Sequence, residues 1–312
     1  MAPVSLTQPH ASHSHPPRVA ASPLALLSCA LLLTGCAGPA ASVRPERVIA
    51  EVVADGIRVT TGGQPVLFYR TGPDSGREPW RVNYIHPLHS VAGAVITEDA
   101  PVDHMHQRGV YWAWRRILVD GVRVADGWVG DGLAFEVTRR AALDRSDGSA
   151  QVDARLFWRV SLAGQPADIV AENSRIRVYP LVDGRRRVDI EVRLRALRRG
   201  VAIAGTDDEK GYGGISLRFG NGALVQLTGD GRELLATPAG IEAGESVAFS
   251  WPALSLPWPA RVTARCTVDG RPWTRWVLRQ EPSMQNCAYP GSSPVDLSTD
   301  RDLVLGVTLD IG

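Results

Sequence analysis

Between Arg187 and Arg195 charged and apolar side chains alternate without a break: Val188, Ile190, Val192 and Leu194 fall on one side, and Arg187, Asp189, Glu191, Arg193 and Arg195 on the other. A helix would wind those charges through its own apolar face, so the segment is an extended strand with one buried and one wet side. The runs Arg155-Leu156-Phe157-Trp158-Arg159-Val160-Ser161-Leu162 and Ser174-Arg175-Ile176-Arg177-Val178-Tyr179 repeat the pattern. Shorter runs such as VYWAWRR, LAFEVT, ISLRF and WTRWVLR follow, and turn dipeptides such as Asp55-Gly56, Asp120-Gly121, Asp183-Gly184 and Asp269-Gly270 punctuate the chain. No stretch carries a helical apolar stripe over three turns. The expected fold class is all-β, a large antiparallel β-sandwich, with residues 47–312 in a single domain.

The N-terminal part has a different character. Residues 24–35, LALLSCALLLTG, form an apolar run that is too short to span a bilayer and has the length of a signal-peptide core. Leu33-Thr34-Gly35-Cys36 looks like a lipobox, where bacterial lipoproteins are cut and the new N-terminal cysteine is lipidated. Residues 1–35 are therefore expected to be a lipoprotein signal peptide, Cys36 the lipidation site, and residues 36–46 a tether rich in small residues and proline. An uncleaved anchor is the alternative. Either way the domain is expected on the periplasmic side of the cell envelope, with the outer membrane as the expected anchor. His10, His13 and His15 leave with the signal, as does Cys29. Cys266 and Cys287 remain, and an oxidising compartment suits a disulfide between them, worth about 3 kcal/mol; two buried free thiols are the other reading.

Charge narrows the partners. The chain has 34 basic against 33 acidic side chains, a balance that calls for neither nucleic acid nor an anionic membrane surface as partner. All but one of the basic side chains are arginine, and the exception is Lys210.

The remaining histidines, His86, His89, His104 and His106, fall in one window, in Asn83-Tyr84-Ile85-His86-Pro87-Leu88-His89 and Asp103-His104-Met105-His106-Gln107-Arg108-Gly109. Imidazoles two apart on an extended segment can meet one substrate or one ion, and the group titrates near neutrality. Proton transfer by His86, His104 and His106 is one reading. A divalent metal such as zinc on His86, Asp103, His104 and His106 is another, and a hydrogen-bonded structural cluster is the third. Trp112 and Trp114 follow two apart, suited to stacking on sugar rings or to core packing, and Arg108 is a forked donor for carboxylates or hydroxyls. In Asp207-Asp208-Glu209-Lys210-Gly211-Tyr212-Gly213-Gly214 the lone lysine sits among carboxylates and glycines. Glu209 or Asp208 is a candidate base or metal ligand, and a plain solvated turn is the alternative. Asn83 and Tyr212 complete the candidate substrate-binding set.

In that order, NYIHPL, DHMHQRGVYWAW, DGW and KGYGG resemble the PmoA-like family of uncharacterised secreted bacterial proteins. His86, His104, His106, Arg108 and Gly109 match the family pattern; Met105 stands where proline is usual and Gln107 where a further histidine is usual. A membrane methane monooxygenase subunit, which the family name suggests, is excluded because no apolar stretch beyond the signal is long enough to cross a bilayer. The resemblance implies a β-sandwich similar to the galactose mutarotase supersandwich and an association with saccharide breakdown. Two function classes follow. One is an enzyme on glycans or sugar derivatives, a hydrolase, lyase or epimerase, with Arg108 and Lys210 holding an oxyanion. The other is a lipid-anchored carbohydrate-binding protein without turnover.

Overall fold

The computed structural model describes residues 46–72, 80–220, 224–252, 258–259, 261–281 and 283–312. The expected signal peptide, Cys36 and all but the last residue of the tether lie outside them. Arg44–Gly312 forms one compact unit. The described residues contain no α-helix, and none of their segments is a helix long and apolar enough to cross a membrane.

Among the described residues all strands pair antiparallel, in sheets of nine, ten and four strands. The nine-stranded sheet carries Tyr84–Leu88, Val110–Trp114, Gly213–Leu217, Met284–Ala288 and Arg275–Arg279 side by side. The ten-stranded sheet is built on the long strands Ala134–Asp144, Ala150–Leu162, Gln165–Val178, Arg186–Ala196 and Leu303–Ile311. Alternation dictates how the two sheets meet. Val188, Ile190, Val192 and Leu194 point inward and are buried, as are Leu156 and Trp158, and they share one core with Ile57, Val59, Tyr69, Trp112, Trp114 and Ile215 of the other sheet. Trp114 and Trp158 meet across the layers with ring centroids 5.5 Å apart.

Val110–Trp114 is buried on both sides. Trp112 and Trp114 face the main core, whereas Tyr111 and Ala113 face outward into a second cluster with Tyr84, Trp128 and Met284. The tryptophans are therefore packing residues, not an open stacking wall. Trp112 Nε1 donates to Glu172 Oε1 at 2.6 Å and Trp114 Nε1 to the Tyr289 carbonyl at 2.9 Å. Asn83 is also structural: it accepts from the Tyr69 hydroxyl at 2.7 Å and donates to Glu172 at 2.9 Å. Glu172 has no solvent exposure and also accepts from Trp158 Nε1 at 2.7 Å and Ser174 Oγ at 2.5 Å.

Cys266 and Cys287 are buried free thiols, not the expected disulfide. They do not lie on neighbouring strands: Arg261–Val268 belongs to the ten-stranded sheet and Met284–Ala288 to the nine-stranded one. Burial and contact with the Cys287 thiol push the Cys266 thiol up, so Cys266 is a poor nucleophile.

Candidate active site

The His104 loop and the Lys210 loop feed two neighbouring strands, Val110–Trp114 and Gly213–Leu217, which pair from Gly213 with Trp114 to Leu217 with Val110. Both loops lean over the outward face of this pair. They enclose a cleft of about 240 Å³ lined by His104, His106, Gln107, Arg115, Trp128, Thr206, Asp208, Lys210, Tyr212 and Arg279. Two histidines and the lone lysine, far apart in sequence, thus share one hollow.

The floor is aromatic. Trp128 packs on Tyr212 with centroids 5.3 Å apart and on Tyr111 at 5.4 Å. Its backbone is held by the DGW turn: buried Asp126 accepts from the amides of Trp128 at 2.9 Å and Val129 at 3.2 Å while pairing with Arg123 at 2.6 Å and Arg115 at 3.3 Å.

Three guanidinium groups set the histidine loop. Arg81 Nη1 donates to the Met105 carbonyl at 2.7 Å, Arg108 Nη1 to the His106 carbonyl at 3.4 Å, and Arg218 Nη2 to both carboxylate oxygens of Asp103 at 3.0 and 3.1 Å. Arg218 also bonds the Gln107 side chain at 2.8 Å. Asp103 Oδ2 lies 3.1 Å from His104 Nδ1, which places the proton on Nδ1 and leaves Nε2 as the basic atom. Burial works against ionisation of Asp103, but the bonds from His104 and Arg218 outweigh it and hold its carboxyl low.

His106 stands edge-on to His104, with ring centroids 5.6 Å apart. Burial, then the charges of His104, Arg115, Arg108 and Arg81, pull its pKa down to about 4. It is therefore a neutral imidazole across the physiological range, with no compensating carboxylate among those causes. On the opposite wall Asp208 forms a turn: it accepts from Thr206 Oγ1 at 2.5 Å and from the amides of Lys210 at 3.0 Å and Gly211 at 3.2 Å, and lies 3.4 Å from Lys210 Nζ. Desolvation would raise the Asp208 carboxyl, but these donors keep it low, so it stays ionised.

Several expected site residues stand elsewhere. Arg108 does not line the cleft; it is buried over the rings of Trp80, Tyr84 and Tyr111, at 5.0, 5.9 and 4.9 Å, where burial lowers its pKa to about 10. It acts through the loop backbone and is a positioning residue. His86 bonds Thr97 Oγ1 through Nδ1 at 3.0 Å and is not a lining residue. Glu209 is exposed and contributes its carbonyl, which accepts from Arg275 at 2.8 Å, while its neighbour Asp208 takes the place in the cleft. His89 Nδ1 bonds the Gly93 carbonyl at 3.0 Å, away from the cleft wall. The expected metal set of His86, Asp103, His104 and His106 does not form: among the described residues no three His, Cys, Asp or Glu side chains are grouped to hold an ion. Conversely, Arg115, Arg279 and Thr206 help to form the walls without having been expected there, beside Trp128 of the DGW segment.

The loop depends on Gly109. Its φ is +29° and a Cβ would sit 1.9 Å from the Ile85 carbonyl oxygen, while its own amide and carbonyl bond Glu98 and Arg218 at 2.7 and 2.8 Å. Gly109→Ala is expected to cost about 2–4 kcal/mol from overpacking and a disfavoured backbone angle. The urea midpoint measures it, and an unchanged midpoint contradicts this close approach.

No curated protein matches the chain. The model of a family of unknown function, DUF6807, matches residues 56–311, which take in both the histidine loop and the Lys210 loop. A match over that span of the sandwich makes this chain a member of the family of unknown function DUF6807.

Proposed function

We propose that the chain is a lipid-anchored protein of the cell envelope, of the PmoA-like kind and with a sandwich similar to the galactose mutarotase supersandwich. Its cleft acts on a sugar derivative bearing a carboxylate, as a lyase or epimerase. The observation that carries this reading is the meeting of a neutral His106 with Lys210, Arg115 and Arg279 in one hollow. Removal of a proton next to a carboxylate builds negative charge on that carboxylate. A neutral imidazole can take the proton, and flanking cations stabilise the charge as it forms. The imidazolium formed on His106 can return the proton, and His104, oriented by Asp103 with Nε2 free, lines the same cleft as a second base.

Hydrolysis by a carboxylate pair is the weaker reading. It needs one protonated carboxyl, and Asp208, the cleft's lining carboxylate, is held ionised. The Trp128–Tyr212 floor suits the apolar face of a sugar ring, which is also what a binding protein without turnover would offer.

The test is to incubate the purified full chain with uronate-containing oligosaccharides in deuterated water. Deuterium incorporation or an unsaturated product is expected, both abolished in His106→Ala. Lys210→Met is expected to raise KM about tenfold or more by removing a charge-assisted contact. Binding of these saccharides without exchange or turnover, and unaltered in His104→Ala and His106→Ala, would overturn the enzyme in favour of the binding protein.

A further inference from the structure

We infer that the outer face of the ten-stranded sheet carries a second binding site, for an acidic polysaccharide bearing repeated carboxylate or sulfate groups. This site lies on the opposite side of the sandwich from the histidine cleft and does not depend on the function proposed for it.

Four adjacent strands present one cross-strand row on this face. Arg139 of Ala134–Asp144 pairs in register with Arg155 of Ala150–Leu162, Arg155 with Asn173 of Gln165–Val178, and Asn173 with Arg193 of Arg186–Ala196. Arg155, Asn173 and Arg193 alternate with buried residues, and Arg139, beside a bulge in its strand, joins them in lining one surface hollow. At the usual strand spacing the row is roughly 14 Å long. Together with Arg175, Asp153 and Glu191 of the next row, it borders an open hollow of about 400 Å³.

The charge pattern is anomalous for this face. Elsewhere on it a guanidinium is matched to a carboxylate: Arg159 to Asp168, Arg177 to Asp147, Arg187 to Asp189, Arg195 to Asp302 and Arg265 to Asp310. Arg139 and Arg155 form no ion pair among the described residues; Arg155 rests on the Phe157 ring at 5.6 Å. Like charges directly opposed across an antiparallel pair destabilise a sheet, so the fold gains nothing from this juxtaposition. An anion seated between the two guanidinium groups reverses the sign. The hollow's two carboxylates are already engaged, Asp153 by Arg175 at 2.9 Å and Glu191 by Arg193 at 2.8 Å. They leave the Arg139–Arg155 pair as the exposed centre of positive charge.

The shape selects the ligand class. A shallow row over several strands meets repeated anions on an extended chain better than a single small ion, and the planar guanidinium fork matches carboxylate and sulfate oxygens. The lining includes no aromatic side chain, so it lacks the stacking platforms with which proteins hold single-stranded nucleic acid.

The test compares binding of the full chain to polygalacturonate, to heparin, to neutral dextran and to single-stranded DNA. Binding to one or both acidic polysaccharides, and not to dextran, is expected. An Arg139→Gln/Arg155→Gln double variant is expected to lose about tenfold or more in affinity with an unchanged or higher Tm, because a repulsion is removed together with the anion site. The control Arg187→Gln/Arg265→Gln removes two paired arginines from the same face and is expected to keep wild-type binding. Equal loss in both double variants, no loss in the first, or DNA binding as tight as polysaccharide binding overturns the inference.

Discussion

Glu172→Leu should lower the unfolding free energy by about 3–5 kcal/mol, the largest stability effect expected of any single side chain described above. The reason is arithmetic of donors. Asn83 Nδ2, Trp112 Nε1, Ser174 Oγ and Trp158 Nε1 all aim at this one carboxyl, at 2.9, 2.6, 2.5 and 2.7 Å, inside a layer that water does not reach. Leucine fills the volume and strands every donor. Glu172→Gln keeps the acceptor that serves three of them and turns an amide toward the other, so about 1–2 kcal/mol is expected. Urea midpoints of the two variants settle the ranking; a leucine variant as stable as the glutamine one would mean that the donors find other partners.

The same carboxyl gives the stability a pH slope. Burial raises its pKa, although all four donors pull the other way. A group whose folded pKa is raised contributes fully below its unfolded value and loses that contribution as pH rises through the folded value. The slope above the ordinary glutamate range should flatten in Glu172→Gln.

The second large effect belongs to His106. Under the proposed proton transfer, His106→Gln should reduce kcat/KM by about 10²–10⁴-fold while leaving the fold intact, since the side chain sits at the cleft wall. The pH profile carries the sharper signature. A base must be unprotonated to act, so activity should fall with decreasing pH through about 4, where burial and four neighbouring charges hold this imidazole. An ordinary histidine would give a limb near 6.5. Arg115→Met removes one of the charges and should move the limb upward, toward the ordinary value. A limb near 6.5 in both proteins would reassign the base.

Alternation made the sandwich legible, since the run from Arg187 to Arg195 became Arg186–Ala196 with every apolar side chain buried. At Val110–Trp114 it put Trp112 and Trp114 on one face, as found, but a strand covered on both sides has no wet side to tell a stacking wall from the core, where both went. The histidine window and the lone lysine were legible in the sequence, but of the window only His104 and His106 reach the cleft with Lys210, while His86 and His89 do not. Arg115 and Arg279 were not, because in a chain with 33 arginines no local signal separates those that face a hollow from those that pair on a sheet. Glu209 and Asp208 were interchangeable as sequence, and only the turn's hydrogen bonds distinguish them.

The three guanidinium forks on the histidine loop bear on how such a site can change over time. Arg81, Arg108 and Arg218 grip carbonyls and the Asp103 and Gln107 side chains, so the backbone around His104 and His106 is held without recourse to the opposite wall. The Lys210 wall is held by its own Asp208 turn. Under the proposed function, the histidines and the Lys210 wall therefore rest on separately held loops. Substitutions around Thr206 and Tyr212 would then reshape one wall of the cleft without loosening the hydrogen bonds that hold the histidine loop.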